Sequence, residues 1–308
     1  MPEATRENRP DGETFEGVSG LLHFAGARNW SASLFPALVG TTLPFWLHPP
    51  GFSFKWFGAV EFLSATLLFH AGFSFLLAWF ERGSTGRSPG SKFLFFSGVC
   101  LVSACLLGLH LNSGLHLNKS VHSGVFIVFG VSVVIAGALY LCPPLRLGRR
   151  VGGEIVLSEG LGMLPVLGAY IVQAGDLTRR VYLASIPLVV ATGLWIWVEE
   201  LATRIDDEKS GRKTMIIHFG PRFSGRVIVP FTLLLLYVSL FMGVLTASIP
   251  PPALAALLSA GLSWKILSVC RKDYLSPERM LGLRKTAFLT HLVICGSVAV
   301  SPLAENLV

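Results

Sequence analysis

Residues 181–214 read VYLASIPLVVATGLWIWVEELATRIDDEKSGRKT. The first 18 of these residues carry no charge, whereas acids and bases crowd the part that begins at residue 199. Roughly 20 mostly apolar residues are enough to cross a bilayer as a helix. The pattern is therefore typical of a transmembrane helix that ends at a membrane surface. The whole chain agrees, because 52% of its 308 residues are hydrophobic and 14% are charged, against about 25% charged in soluble domains.

Further apolar runs of similar length lie on both sides of this segment, and turn or charge clusters separate them. The sequence therefore predicts an all-α integral membrane protein, with nine transmembrane helices around a central cavity that opens to the cytoplasmic face. We expect residues 28–308 to form this single domain, and residues 1–27 to be a polar tail with an interfacial segment. The nine runs are 31–47, 56–80, 93–111, 121–141, 155–173, 181–198, 227–247, 251–270 and 286–304.

Basic residues predict the orientation. Twenty of the 25 lysines and arginines lie in the N-terminal segment and in alternate loops, at 6–28, 82–92, 146–150, 204–226 and 271–285. Because cytoplasmic loops collect lysine and arginine, we expect a cytoplasmic N-terminus, in a bacterial inner membrane. No signal peptide is expected, since a long polar stretch precedes the first apolar run. The net charge of +7 is spread over these loops, so nucleic acid is not an expected partner.

The acidic residues at the end of the sixth helix are the first candidates for chemistry. If the helix continues past residue 198, Glu199, Thr203, Asp206 and Asp207 share one face, and Glu200 lies beside Asp207. Oxygen ligands that converge in this way suit Mg²⁺, and the basic residues that follow suit phosphate. An ordinary solvated loop with salt bridges is an equally good interpretation of the spacing alone.

Two further acids lie in or near the membrane. Glu81 ends the second helix, where an isolated acid is usually only a helix-end charge. Glu159 is predicted to face the interior of the bundle, one turn deeper than Glu154. Ionisable groups inside a membrane are costly, so Glu159 is a functional candidate or, alternatively, a hydrogen-bonded structural residue. The cysteines and histidines show no metal-binding spacing.

Three segments together resemble the UbiA superfamily of membrane prenyltransferases. They are ARNWSASLFPALVGT at 27–41, the stretch from Tyr140 through PPLRL and GGE to Gln173, and DEKSGRKT at 207–214. The branch that they resemble most is that of the dihydroxynaphthoate prenyltransferases of menaquinone synthesis. The resemblance covers roughly residues 25–220 and also implies nine helices.

The resemblance implies that an isoprenyl group moves from a prenyl diphosphate to an aromatic quinone precursor, with Mg²⁺ as cofactor and membrane lipids around the bundle. It implies a metal site at the ends of the second and sixth helices, formed by Glu81, Glu199, Glu200 and Asp207. The implied diphosphate contacts are Arg28, Arg146, Arg212 and Lys213. Glu159 is then expected to orient the acceptor or to take its proton as a catalytic residue.

The sequence also departs from the family motifs. In the second helix Ser74, Leu77 and Ala78 stand where the motif has Asn, Asn and Asp, and in the sixth helix Thr203 replaces an Asp. Two alternatives therefore stay open. One is a family member without transfer activity, which binds prenyl lipids or acts as a scaffold for quinone-pathway enzymes. The other is an unrelated nine-span transporter, although the chain has no evident internal repeat.

Overall fold

The computed structural model describes residues 22–305 except 24, 27–28, 49–51, 85–89 and 118–122. The described part is helical and has no β-strand. Within the described residues, nine main helices follow the nine apolar runs. They are α1 (Ser31–Leu47), α2 (Trp56–Ser84), α3 (Ser91–Leu117), α4 (Ser123–Leu141), α5 (Gly153–Ala174), α6 (Arg179–Lys209), α7 (Pro221–Leu245), α8 (Pro251–Lys272) and α9 (Pro277–Glu305).

In the described part of the chain, eight helices are long and apolar enough to cross a membrane. The ninth, α1, is apolar but shorter. The prediction of an all-helical, multi-pass membrane protein is confirmed, whereas only eight of the nine predicted spans meet this length. The expected tail at 1–27 lies almost wholly outside the described residues.

Helix α6 forms the centre of the bundle. Leu188, Leu194 and Val198 are completely buried along its length, and α6 packs against α5, α7 and α9. The crossing with α5 is very close, because a Cβ on Gly162 would lie 2.7 Å from the Cα of Val189. Small residues at such crossings allow helix backbones to approach each other within a membrane. The packing therefore fixes the direction in which the charged end of α6 leaves the bundle.

Two helices extend further than their apolar runs. Helix α6 continues from residue 198 to Lys209, which places the acids of the sixth run on a regular helix. It ends at a turn in which Gly211 has φ +73° and the Arg212 amide donates to the carbonyl of Asp207 at 3.0 Å. Helix α9 begins at Pro277, nine residues before the predicted run. The basic segment that we expected to be a loop is therefore helical.

Candidate functional site

The end of α6 builds a compact group around the carboxylate of Asp207. Its Oδ1 accepts a hydrogen bond from Nη1 of Arg212 at 2.9 Å, and its Oδ2 accepts one from the hydroxyl of Thr203 at 2.8 Å. Thr203 is one helical turn before Asp207, and the turn at Gly211 brings Arg212 back over it. Asp207 is buried at 7% exposure. Both carboxylate oxygens are thus engaged by groups from the same helix end.

Arg212 also reaches the end of α2. Its Nη2 lies 3.5 Å from Oε1 of Glu81, so one guanidinium bridges the two acids that the sequence singled out on different helices. Burial alone would lower the pKa of Arg212, but the hydrogen bond and charge of Asp207, with the charge of Glu81, raise it above its ordinary value. The bridge is therefore a permanent positive charge between two carboxylates.

A small, partly open cleft lies beside this bridge. Its charged lining consists of Arg146, Arg149 and Arg212 with Glu81. The guanidinium of Arg146 lies over the ring of Phe80, 5.4 Å from the centroid, and its buried Nε has no hydrogen-bond partner in the described part of the chain. Three guanidiniums against one carboxylate, one of them with an unused donor, suit an anionic ligand.

Aromatic rings continue from the cleft along the inside of α2 and α4. Tyr140 lines the cleft, and its ring lies 5.9 Å from that of Phe73, which in turn lies 6.1 Å from that of Phe69. Tyr140 rests directly on the backbone at Gly148, where a Cβ would come within 2.7 Å of the ring. An apolar, aromatic wall thus adjoins the basic cleft.

Glu154 is a site residue for which the sequence analysis proposed no role. It is buried at 3% exposure, and its two carboxylate oxygens accept the backbone amides of Met215 at 2.6 Å and Gly152 at 3.0 Å. It also interacts with the carboxyl group of Glu200, whose buried Oε2 has no hydrogen-bond partner among the described residues. Glu154 therefore ties the loop after α6 to the start of α5. The Gly-Gly-Glu sequence at 152–154 was the available signal.

Two of the expected site acids lie away from this group. Two nitrogens of the Arg284 guanidinium in α9, Nε and Nη2, donate hydrogen bonds to the carboxylate of Glu199. The distance between Nε and Oε2 is 2.6 Å. Glu159 is exposed, so the expectation that it faces the interior is wrong. Residues five apart on a helix point about 140° apart, and since Glu154 faces the buried acids, Glu159 cannot face them too.

Some of the remaining expected residues line the cleft and others do not. The backbone amide of Lys213 donates to the carbonyl of Arg149 at 2.9 Å, and Lys213 does not line the cleft. Arg28 lies outside the described residues. Leu77 lines the cleft, whereas Ala78 packs beside a small apolar cluster of Ala25, Ala71, Phe75 and Phe93. Ser74 adjoins Gly26, where an added Cβ would lie 2.5 Å from its hydroxyl.

A divalent metal ion does not fit these donors as they stand. No three Asp, Glu, His or Cys side chains of the described ranges lie close enough together to hold a metal. Asp207 is committed to Arg212 and Thr203, and Glu199 is committed to Arg284. Glu200 supplies an unpartnered oxygen, but one carboxylate alone is a weak magnesium site.

Comparison with known proteins places this chain in a family. The model of the UbiA prenyltransferase family matches residues 83–292, well over half of the chain. The chain therefore belongs to this family, which sets aside the unrelated transporter. One curated relative is the 2-carboxy-1,4-naphthoquinone phytyltransferase of Synechocystis sp., 26% identical over 133 residues, which are 43% of this chain and 42% of the relative. The match spans less than half of that relative's length.

Solved structures share the fold. A structure of digeranylgeranylglyceryl phosphate synthase gives a TM-score of 0.63 at 12% identity, over 92% of this chain and 98% of that one. A UbiA homolog from Archaeoglobus fulgidus, bound to DMAPP and Mg²⁺, gives 0.52 at 14% identity, over 91% of this chain and 99% of that one. At these identities the likeness establishes the architecture alone.

Proposed function

We propose that this protein transfers an isoprenyl group from a prenyl diphosphate to an aromatic quinone precursor. The observation that carries the proposal is the cleft lined by Arg146, Arg149 and Arg212, which adjoins the aromatic wall of Tyr140 and Phe73. A basic pocket suits a diphosphate, and an apolar wall suits the hydrocarbon attached to it. The naphthoquinone phytyltransferase relative supports this substrate class.

The proposed chemistry begins when the bond between the allylic carbon and the diphosphate oxygen breaks. The electron pair leaves with the diphosphate, whose growing charge the guanidiniums of Arg146 and Arg212 stabilise. The π-faces of Phe80 and Tyr140 shield the allylic cation. An electron-rich carbon of the acceptor ring then attacks the cation and loses its proton. Glu159, which the sequence predicted as the proton acceptor, is exposed on α5 and does not line the cleft, so in this proposal the departing diphosphate takes the proton.

Magnesium stays a prediction for this chain, because its acids do not form a metal site by themselves. The alternating basic loops support a bacterial inner-membrane protein with a cytoplasmic N-terminus.

The test is diphosphate release by the purified full-length chain in lipid nanodiscs. A panel of isoprenyl diphosphates is combined with dihydroxynaphthoate or hydroxybenzoate, each with Mg²⁺ and with EDTA. We expect release that requires an acceptor and is lost in Asp207→Ala. Lys209→Ala, at the exposed end of the same helix, serves as the matched control. Release without any prenylated product would contradict the proposal.

A second candidate is a prenyl-lipid binding protein without transfer activity. It is favoured by Leu77, an apolar side chain in the wall of the cleft at a position where the family motif is polar. Saturable binding of a prenyl diphosphate with no acceptor-dependent release in any combination would select this candidate. The double variant Leu77→Asn with Ala78→Asp then tests whether restoring the motif brings transfer activity.

A further inference from the structure

The two acids at the facing ends of α2 and α6 already share a cation. Arg212 lies 2.9 Å from Asp207 and 3.5 Å from Glu81. Its side chain is a quarter exposed and that of Asp207 less than a tenth, so the pairing is shielded from water and from salt. The guanidinium stands at the point between the two helix ends where a divalent ion would have to lie in order to contact both carboxylates.

The charge of the cleft leads to the same conclusion. A cleft lined mainly by carboxylates repels a diphosphate, and it needs added cations before it can bind one. This cleft has three arginines and a single glutamate in its wall, and with Asp207 counted beside Arg212 the arginines still outnumber the carboxylates. The positions in α2 that carry polar and acidic residues in the motif are Leu77 and Ala78, which add no negative charge. The wall is therefore attractive to a diphosphate before any metal ion is present.

We propose that the guanidinium of Arg212 replaces a divalent ion in this protein, so that the cleft binds a prenyl diphosphate without a metal. The inference rests on the proposed function for the class of ligand. Arg212 keeps its contact with Asp207 and offers its remaining donors to the diphosphate, while Glu81 turns toward solvent, to which half of its side chain is already exposed. Arg146 supplies a second donor through its unpartnered Nε.

Binding is measured with geranyl diphosphate and the full-length chain in nanodiscs, by calorimetry, once with EDTA and once with excess Mg²⁺. We expect dissociation constants that agree within about threefold between the two media. Arg212→Gln should weaken binding in EDTA by about 100-fold, since it removes a charged, forked donor. Arg212→Lys should lose less, because it keeps the charge. Arg150→Gln is the control, because its guanidinium binds the carbonyl of Pro144 and does not line the cleft.

A second measurement needs no prenyl ligand. Manganese(II) is titrated into the protein and free Mn²⁺ is followed by electron paramagnetic resonance. The wild-type chain should bind no Mn²⁺ at the cleft, whereas Arg212→Gln removes the guanidinium that lies between Glu81 and Asp207 and should gain a site. Arg212→Gln,Asp207→Asn should lose that site again. Thermal unfolding of each variant establishes that it is folded.

The outcomes separate the inference from the proposed function. Binding that disappears in EDTA and returns with Mg²⁺ overturns the inference and leaves the transferase proposal intact. Equal binding by wild type and Arg212→Gln in EDTA also overturns it. Absence of binding in both media overturns the inference and the proposed function together.

Discussion

The ion pair between Glu199 and Arg284 should be structural, and a double-mutant cycle tests this. It joins α6 to α9 through two parallel hydrogen bonds, and its side chains are 31% and 28% exposed. Hydrogen bonds to charged groups contribute about 1.5–3 kcal/mol, and fully exposed pairs about 0–1 kcal/mol. At this partial exposure we expect a coupling free energy of about 1–2 kcal/mol between the two residues.

The assay is equilibrium unfolding in mixed detergent micelles of Glu199→Gln, Arg284→Gln and the double variant. Each single change leaves a half-buried charge without its partner, so the double variant should be more stable than additivity of the single variants predicts. Binding of geranyl diphosphate by the folded double variant should match that of wild type. A coupling below about 0.3 kcal/mol would refute the structural role. So would a loss of diphosphate binding in Glu199→Gln that persists in the double variant with Arg284→Gln, because Glu199 would then belong to the binding site.

The structure also predicts the outcomes of three further substitutions. Gly40→Ala should lower the unfolding temperature markedly, because its Cβ would lie 2.1 Å from a carbonyl oxygen of α5, whereas Gly108→Ala, with no neighbour within 4 Å, should not. Glu154→Ala should destabilise the protein by about 2 kcal/mol or more in micelle unfolding, since two backbone amides lose their acceptor. Gly148→Ala should weaken diphosphate binding in calorimetry with little loss of stability, because the movable Tyr140 ring must leave the cleft wall.

The helices were predictable because each one corresponds to a continuous apolar run of the chain. An apolar run of sufficient length must become a helix in lipid, where every backbone polar group needs an internal partner. The runs do not show where a helix ends outside the membrane, since charged residues are compatible with either helix or loop. For this reason the last turns of α6 were expected only on the condition that the helix continued past residue 198, and the first turns of α9, with Arg284, were not predicted to be helical.

The site was predictable only where its contacts are local. Asp207 and Arg212 are five residues apart, and a helix end followed by a glycine turn brings them together. Glu199 and Arg284 are 85 residues apart, and only the packing of α9 on α6 decides that they meet. Which of Glu154 and Glu159 faces the site depends on the rotation of α5 about its axis. The close crossings at Gly40 and Gly162 set this rotation, and hydropathy gives no information about it.

The hydrogen bonds that join Thr203, Asp207 and Arg212 all arise within one helix end. This part of the site therefore assembles whenever α6 folds, whatever side chains α2 presents to it. The two helices should therefore differ in how substitutions affect the site. A substitution in α6 removes these hydrogen bonds, whereas a substitution at Leu77 leaves them in place and changes only the opposite wall of the cleft. The wall that α2 contributes to the cleft can therefore be changed while the folded framework stays the same.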